Sequence, residues 1–146
     1  MDILESTNEY LQPFINLKGL LDQKVNQQSK TDFITFVRMM APMLVSDWRM
    51  GRHIEVISDK LKDLENGTIK RLMVFLPPRS SKSVICSKLF PAWYIGRNPE
   101  HEILTVSHSD QLSSDFGRSV RDIVNTEEFS KIFKGVSLRS DVRAAG

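Results

Sequence analysis

The stretch RLMVFLPPRSSKS, residues 71–83, decides the fold that the sequence predicts. Its apolar run, residues 72–76, ends abruptly at two prolines, which is the pattern of a short, fully buried strand. A polar loop, residues 79–83, comes next, and apolar residues then recur at helical spacing from Val84 onward. A strand, a tight loop with a Lys-Ser pair and a helix form the layout of a phosphate-binding loop, so the sequence predicts one here.

The residue types in this loop suit the binding of a phosphorylated ligand. The first turn of a helix leaves backbone N–H groups unpaired and carries the positive end of the helix dipole, which attracts phosphate. We expect Lys82 to lie over the β- and γ-phosphates and the Ser83 hydroxyl to help hold Mg²⁺. Arg79 adds a second positive charge at the mouth of the loop, and Ser80 and Ser81 complete the predicted binding residues. No residue is assigned a catalytic role.

Two positions depart from the strict pattern G-x-x-x-x-G-K-[ST] of such loops. Leu76 stands where the first glycine belongs, and Ser81 stands where the second does. If position 81 requires the left-handed backbone region, a serine costs on the order of 1–2 kcal/mol there. The alternative interpretation of the stretch is a strand, a turn and a helix with a polar cap and an exposed lysine.

A longer part of the chain is similar to a known family. The stretches that carry the similarity are GRH (51–53), GTIKRLMVFLPPRSSKS (67–83), FPAWYIGRNPE (90–100), ILTVSHSDQLSSDFGRSVRDIV (103–124) and FKGVSLRSDVRAAG (133–146). In this order and spacing, the chain from about Trp48 onward resembles the ATPase domain of phage terminase large subunits, the motors that pump DNA into capsids. In the group that it most resembles, the loop commonly reads PPR-x-GKS, so Ser81 is a departure of this chain.

The resemblance implies a fold, cofactors and partners. The expected fold is α/β: an incomplete P-loop NTPase with a parallel sheet and flanking helices, preceded by an N-terminal helical segment. We expect a polar N-terminal arm over residues 1–30 and the N-terminal part of the ATPase domain over residues 31–146. The implied cofactors are ATP and Mg²⁺, and the implied partners are double-stranded DNA, the terminase small subunit and the capsid portal. The implied compartment is the cytoplasm of a bacterial host, and no membrane is involved.

The predicted sheet is short of strands. The pattern indicates strands at 71–76 and 102–107 and a weak third strand at 136–138. A doubly wound ATPase sheet has about five strands. No apolar run ends in the paired acids that would organise Mg²⁺ for phosphoryl transfer, so the chain reads as a clipped domain in which ATPase activity is uncertain.

Helical patterns surround these strands. Apolar spacing predicts helices over 32–40 and 52–64, with Asn66-Gly67 closing the second, and a third that begins after Ser109. On that third helix, Arg118 and Arg121 lie off the apolar face. They are candidates for contact with a nucleic-acid backbone, and the competing interpretation is an ordinary charged surface.

Composition and charge narrow the function classes. The 146 residues are 40% hydrophobic and 26% charged, with a net charge of +2, which permits contact with DNA without requiring it. The single cysteine, Cys86, excludes an internal disulfide. His101 and His108 have no metal-ligand partners at suitable spacing. His53 falls where related motors hold the adenine, although an exposed or capping histidine is the simpler interpretation.

Three functions remain open from the sequence. The first is a DNA-packaging ATPase with a variant Walker A loop. The second is an inactive prophage remnant, or a fragment that binds DNA or a partner without hydrolysing ATP. The third is a sulfotransferase-like phosphate-loop enzyme, since such loops also tolerate Pro-Arg-Ser sequences. The preferred nucleotide would separate the first function from the third.

Overall fold

Every regular element of the described chain is a helix. The computed structural model describes the backbone of residues 3–138 and the side chains of residues 11–138. The elements in chain order are α1 (Ile3–Thr31), α2 (Phe33–Leu44), α3 (Arg52–Glu65), a π-helical segment (Val84–Leu89), α4 (Phe90–Arg97), α5 (Asp110–Val124) and α6 (Glu127–Ile132). Residues 82–83 are also helical and lead without a break into the π-helical segment and α4. Residues 82–97 therefore form one continuous helix, here called the rod.

The predicted parallel sheet is wrong. No strand or sheet occurs among residues 3–138, so the incomplete P-loop NTPase fold expected from the sequence is not present there. The segments 71–76 and 102–107 have no regular secondary structure, and neither does 136–138. No backbone group of residues 70–80 or 102–106 takes part in a backbone–backbone hydrogen bond. A ladder consists of hydrogen bonds between neighbouring extended backbones, and none forms between these segments in the described chain.

The apolar run 72–76 nevertheless alternates as an extended segment does. Leu72, Val74 and Leu76 pack against the core, whereas Met73 and Phe75 are 79% and 81% exposed. Successive side chains of an extended backbone point in opposite directions, which explains the alternation. Only one face of the apolar run therefore packs against the core, whereas the sequence predicted that both of its faces would be buried.

Local capping signals explain where the helices begin and end. Asp32, Ser109 and Thr126 cap α2, α5 and α6, each through a side-chain oxygen that accepts a backbone N–H three residues later. Helix α3 ends at Asn66, and Gly67 follows with a φ of 78°, which glycine adopts without strain. The predicted helix over 52–64, its Asn-Gly ending and the start after Ser109 are confirmed. Helix α2 is longer than predicted because Pro42 is accommodated in its last turn.

An aromatic core holds the helices together. Phe33 and Phe36, both on α2, lie at the centre of this core and are fully buried. The ring of Phe33 lies 5.2 Å from that of Trp93 on α4, and the ring of Phe36 lies 6.0 Å from that of Phe133. Trp93 also donates a hydrogen bond of 2.9 Å from Nε1 to the backbone oxygen of Ser29, which ties the end of α1 to α4. The core thus fixes the rod that begins at the predicted phosphate loop.

A glycine on α4 offers a test of this packing. An added Cβ at Gly96 would lie 2.6 Å from Cδ2 of the buried Phe133 ring, so Gly96→Ala is expected to lower the free energy of unfolding by about 1–3 kcal/mol. At Gly117 on α5 a Cβ would meet nothing within 4 Å, so Gly117→Ala is expected to raise stability by about 0.5–1 kcal/mol. Urea unfolding followed by circular dichroism measures both, and equal effects of the two substitutions would contradict the packing.

Candidate phosphate-binding site

The loop before the rod has an unusual backbone. Arg79 and Ser81 have φ angles of 63° and 59°, and they are the only residues other than glycine with positive φ in the described part of the chain. The left-handed region costs a side-chain-bearing residue about 1–2 kcal/mol, because Cβ approaches the following carbonyl oxygen. The condition set by the sequence is therefore met: position 81 does require the conformation that glycine adopts freely, and a serine occupies it.

The rod begins immediately after this strained turn. Lys82 and Ser83 are the first helical residues, and the backbone oxygen of Ser81 accepts the N–H of Ile85 at 3.1 Å. The helical run then continues from Lys82 through Arg97. Backbone N–H groups of its first turn have no partner within the helix, so the loop residues sit at the positive end of a long helix.

All five predicted binding residues line one cavity. Residues 76–84 line an open cavity of about 370 Å³, here called the phosphate cavity, which is large enough for a phosphate chain and its hydration. Arg79 is exposed, whereas Ser80, Ser81 and Lys82 are half-buried. The Oγ atom of Ser80 is buried and has no hydrogen-bond partner. A buried hydroxyl without a partner is energetically unfavourable, and this one reaches a ligand in the cavity only after the Ser80 side chain turns toward it.

The two cations of the loop are not neutralised within the described chain. The ion pairs formed among residues 11–138 involve neither Arg79 nor Lys82. Lys82 acts electrostatically on the rod behind it: burial raises the pKa of the Cys86 thiol, and the positive charge of Lys82 partly opposes that rise. An anion in the cavity would therefore face two charges that have no carboxylate partner.

The residues around Ser83 offer only some of the oxygen ligands that a magnesium ion needs. Ser83 is exposed and its side chain makes no capping hydrogen bond, so its hydroxyl is available to a cation carried by the ligand. None of the residues that line the cavity, 76–84, is acidic. Among the residues that the structure describes, no group of three or more His, Cys, Asp or Glu side chains could hold a metal. The residues present therefore suit a metal that arrives already bound to phosphates.

The sequence did not predict the π-helical turns that follow the loop. In Val84–Leu89 the backbone bonds are one residue longer than in an α-helix, as in the bond from the N–H of Phe90 to the oxygen of Ile85. Pro91 has no N–H to donate, and its ring clashes with the carbonyl four residues earlier, which favours a widened helix here. In the sequence, the feature that indicates a widened helix is therefore Pro91, which follows Phe90 inside an apolar helical pattern. Single π-turns occur frequently at functional sites.

A second cavity adjoins the loop. It has a volume of about 420 Å³ and shares Leu76 with the phosphate cavity. His53 and Arg52, at the start of α3, line it together with the exposed ring of Phe75. His53 is exposed, as the simpler interpretation of the sequence expected, and contact with an adenine stays a prediction.

The predicted nucleic-acid residues lie elsewhere on the fold. Arg118 is exposed on α5 and pairs with Asp115 at 3.1 Å, while Arg121 is half-buried and lines a different cavity with Gly117 and Val136. Neither arginine lines the phosphate cavity. Contact with DNA at these two residues stays a prediction.

The chain matches no protein-family model, no curated protein and no solved structure. Across the residues that the structure describes, every helix is too short or too polar to cross a membrane. The interpretation of the site therefore depends on its own geometry and on the residues that carry the sequence resemblance.

Proposed function

We propose that residues Arg79 to Ser83 bind the phosphates of ATP–Mg²⁺, in a chain related to the packaging ATPase of phage terminases. The observation that carries the proposal is the pair of left-handed residues, Arg79 and Ser81, directly before the first turn of a long helix. A chain adopts such strain where backbone N–H groups must converge on a ligand, and helix N-termini are established anion sites. The proposal needs the loop and the helix and does not need a sheet.

Each residue of the loop has a distinct role in this proposal. The ammonium group of Lys82 balances the charge of the β- and γ-phosphates, and the Arg79 guanidinium provides charge-assisted hydrogen bonds at the entrance. The Ser80 hydroxyl, which has no partner, donates to a phosphate oxygen. Ser83 supplies one oxygen to Mg²⁺, whose remaining ligands are phosphate oxygens and water. The cavity beside His53 and Phe75 has room for the nucleobase.

The same geometry favours binding over turnover. Hydrolysis of ATP requires a carboxylate to orient the attacking water, and the residues that line the phosphate cavity include none. This observation favours the second function, a remnant or fragment that binds without hydrolysing. If the chain works in a packaging motor, other parts of that assembly supply the carboxylate. Double-stranded DNA, the small subunit and the portal would be its partners there, in the cytoplasm of the host cell.

Restoring glycine in the loop tests the proposed site. Ser81→Gly removes a side chain from the lining of the cavity, so it is expected to tighten ATP–Mg²⁺ binding, whereas relief of the left-handed strain raises the free energy of unfolding by about 1–2 kcal/mol in the free and the bound protein alike. Isothermal titration calorimetry on both proteins measures the change in affinity. Ser87→Gly, further along the rod, is the matched control and should leave the affinity unchanged.

Comparing the binding of three nucleotides separates the competing functions. Titration with ATP, with adenosine monophosphate and with a 3′-phosphorylated sulfonucleotide distinguishes a triphosphate site from a sulfotransferase-like one. Absence of ATP binding both before and after Ser81→Gly would reject a usable nucleotide site in this chain.

A further inference from the structure

Helix α1 exposes an apolar surface that the rest of the described chain does not cover. Every residue from Leu11 to Val25 is exposed, and only the last turns of the helix pack on the body, where Ser29 is fully buried. Seven large apolar side chains in this part are between 42% and 71% exposed: Leu11, Phe14, Ile15, Leu17, Leu20, Leu21 and Val25. Scattered apolar residues on a surface are normal, but a contiguous set on one helix marks an interaction site.

The spacing of these residues forms a seam along the helix. Phe14, Leu17 and Leu21 are separated by three and then four residues, which is the a–d–a spacing of a coiled coil. At about 100° per residue, Leu11 and Val25 border this seam on one side and Leu20 borders it on the other. With Ile15 beyond Leu11, the apolar set spans about 220° of the helix circumference and has Lys18 within it, a stripe wide enough to pack against another helix.

We propose that α1 pairs with α1 of a second copy of this chain, in antiparallel orientation. The exposed apolar side chains of α1 amount to on the order of 700 Å² per copy, close to the roughly 800 Å² that each partner contributes to a standard stable interface. One helix seam meeting an identical seam around a two-fold axis needs no further complementary surface. The pairing is independent of nucleotide binding at the loop.

The polar face of α1 favours a second copy over a lipid surface. Helices that lie on membranes carry a polar face rich in Lys and Arg. Here the positions opposite the seam are mainly uncharged amides, Gln12, Asn16, Gln23 and Gln27, whereas Lys18 and Lys24 lie within the apolar stripe. A polar face without a row of basic side chains differs from that of a helix that lies on a membrane.

Charge along the helix sets the orientation. In a parallel pair Lys24 falls at the next d position and faces Lys24 of the second copy, which is unfavourable in a desolvated seam. In an antiparallel pair that puts position 10 opposite Leu21, the position of Lys24 instead lies opposite position 7, a threonine, so the two lysines are kept apart.

Sedimentation velocity of the full chain over a range of concentrations tests the pairing. We expect a concentration-dependent monomer–dimer equilibrium, and Leu17→Glu at the centre of the seam should make the protein monomeric at every concentration. Leu104→Glu is the matched control, because Leu104 is 88% exposed but lies outside α1, and that protein should still dimerise. Equal circular dichroism spectra of the body and equal urea midpoints show that the variants remain folded. A wild-type monomer at all concentrations, or one that instead binds anionic vesicles, would overturn the proposal.

Disulfide cross-linking checks both the pairing and its direction without depending on a destabilising charge. In a Cys86→Ser background, Tyr10→Cys and Leu21→Cys proteins are oxidised separately and after mixing. We expect covalent dimers chiefly in the mixture. Dimers that form equally well from each protein alone, or no dimers at all, would overturn the antiparallel arrangement.

Discussion

Replacing Lys82 by methionine is expected to weaken ATP–Mg²⁺ binding about 10- to 100-fold, with little change in stability. Lys82 is half-buried at the first turn of the rod, lines the phosphate cavity and has no carboxylate partner in the described chain. A hydrogen bond between a charged donor and a charged acceptor contributes about 1.5–3 kcal/mol, which corresponds to this loss of affinity. Methionine keeps the length of the side chain and removes its charge. Isothermal titration calorimetry gives the affinity, and urea unfolding gives the stability.

The matched control for this prediction lies on the same rod. Lys88 is also half-buried in the rod but does not line the phosphate cavity, so Lys88→Met changes the net charge equally and should leave ATP affinity within about twofold, as remote charges are screened at physiological salt. Equal weakening by the two substitutions would mean that the chain attracts nucleotides only through its net charge. An unchanged affinity in Lys82→Met would remove Lys82 from the site.

Removing the indole of Trp93 is expected to lower the free energy of unfolding by about 3–5 kcal/mol, the range for large aromatic side chains replaced by alanine in cores. Trp93 is fully buried, its ring lies 5.2 Å from that of Phe33, and Arg97 lies 4.9 Å above it. Its Nε1 donates to the backbone oxygen of Ser29, so Trp93→Ala also releases the end of α1. Since domains of this kind are stable by about 5–15 kcal/mol, the loss is a large fraction of the total.

A pair of phenylalanine substitutions separates packing from hydrogen bonding in this prediction. Trp93→Phe keeps most of the ring but removes the donor to Ser29, and it should cost about 1–3 kcal/mol. Trp48 is the other tryptophan, and its Nε1 is buried without a partner, so Trp48→Phe removes an unsatisfied group and should be close to neutral. Urea unfolding compares the three variants. A larger loss at Trp48 than at Trp93 would contradict the assignment of Trp93 to the centre of the core.

Much of the candidate site could be predicted because it is encoded locally. The order of apolar run, polar loop and helix placed the five residues 79–83 before a helix N-terminus, and the structure brings all five to one cavity. The departure at Ser81 identified a position that proves to have positive φ. The similar strain at Arg79 carried no sequence signal, because the conformation of a loop residue depends on how its two ends are held by the core. Likewise, the unpaired Oγ of Ser80 could be recognised only from its burial.

The sequence by itself determined the elements whose causes lie within a few residues. These are the helix starts at Asp32 and Ser109, the ending at Asn66-Gly67 and the extended backbone of residues 72–76. Capping and periodicity act over one or two turns of chain, so a short window contains the information. Only the tertiary structure decided that the extended segments have no ladder, that the rod begins with a π-helical stretch, and that α1 leaves its seam uncovered. These features depend on which distant backbone or side chain is within reach, and the burial and strain that select them exist only once the helices have packed.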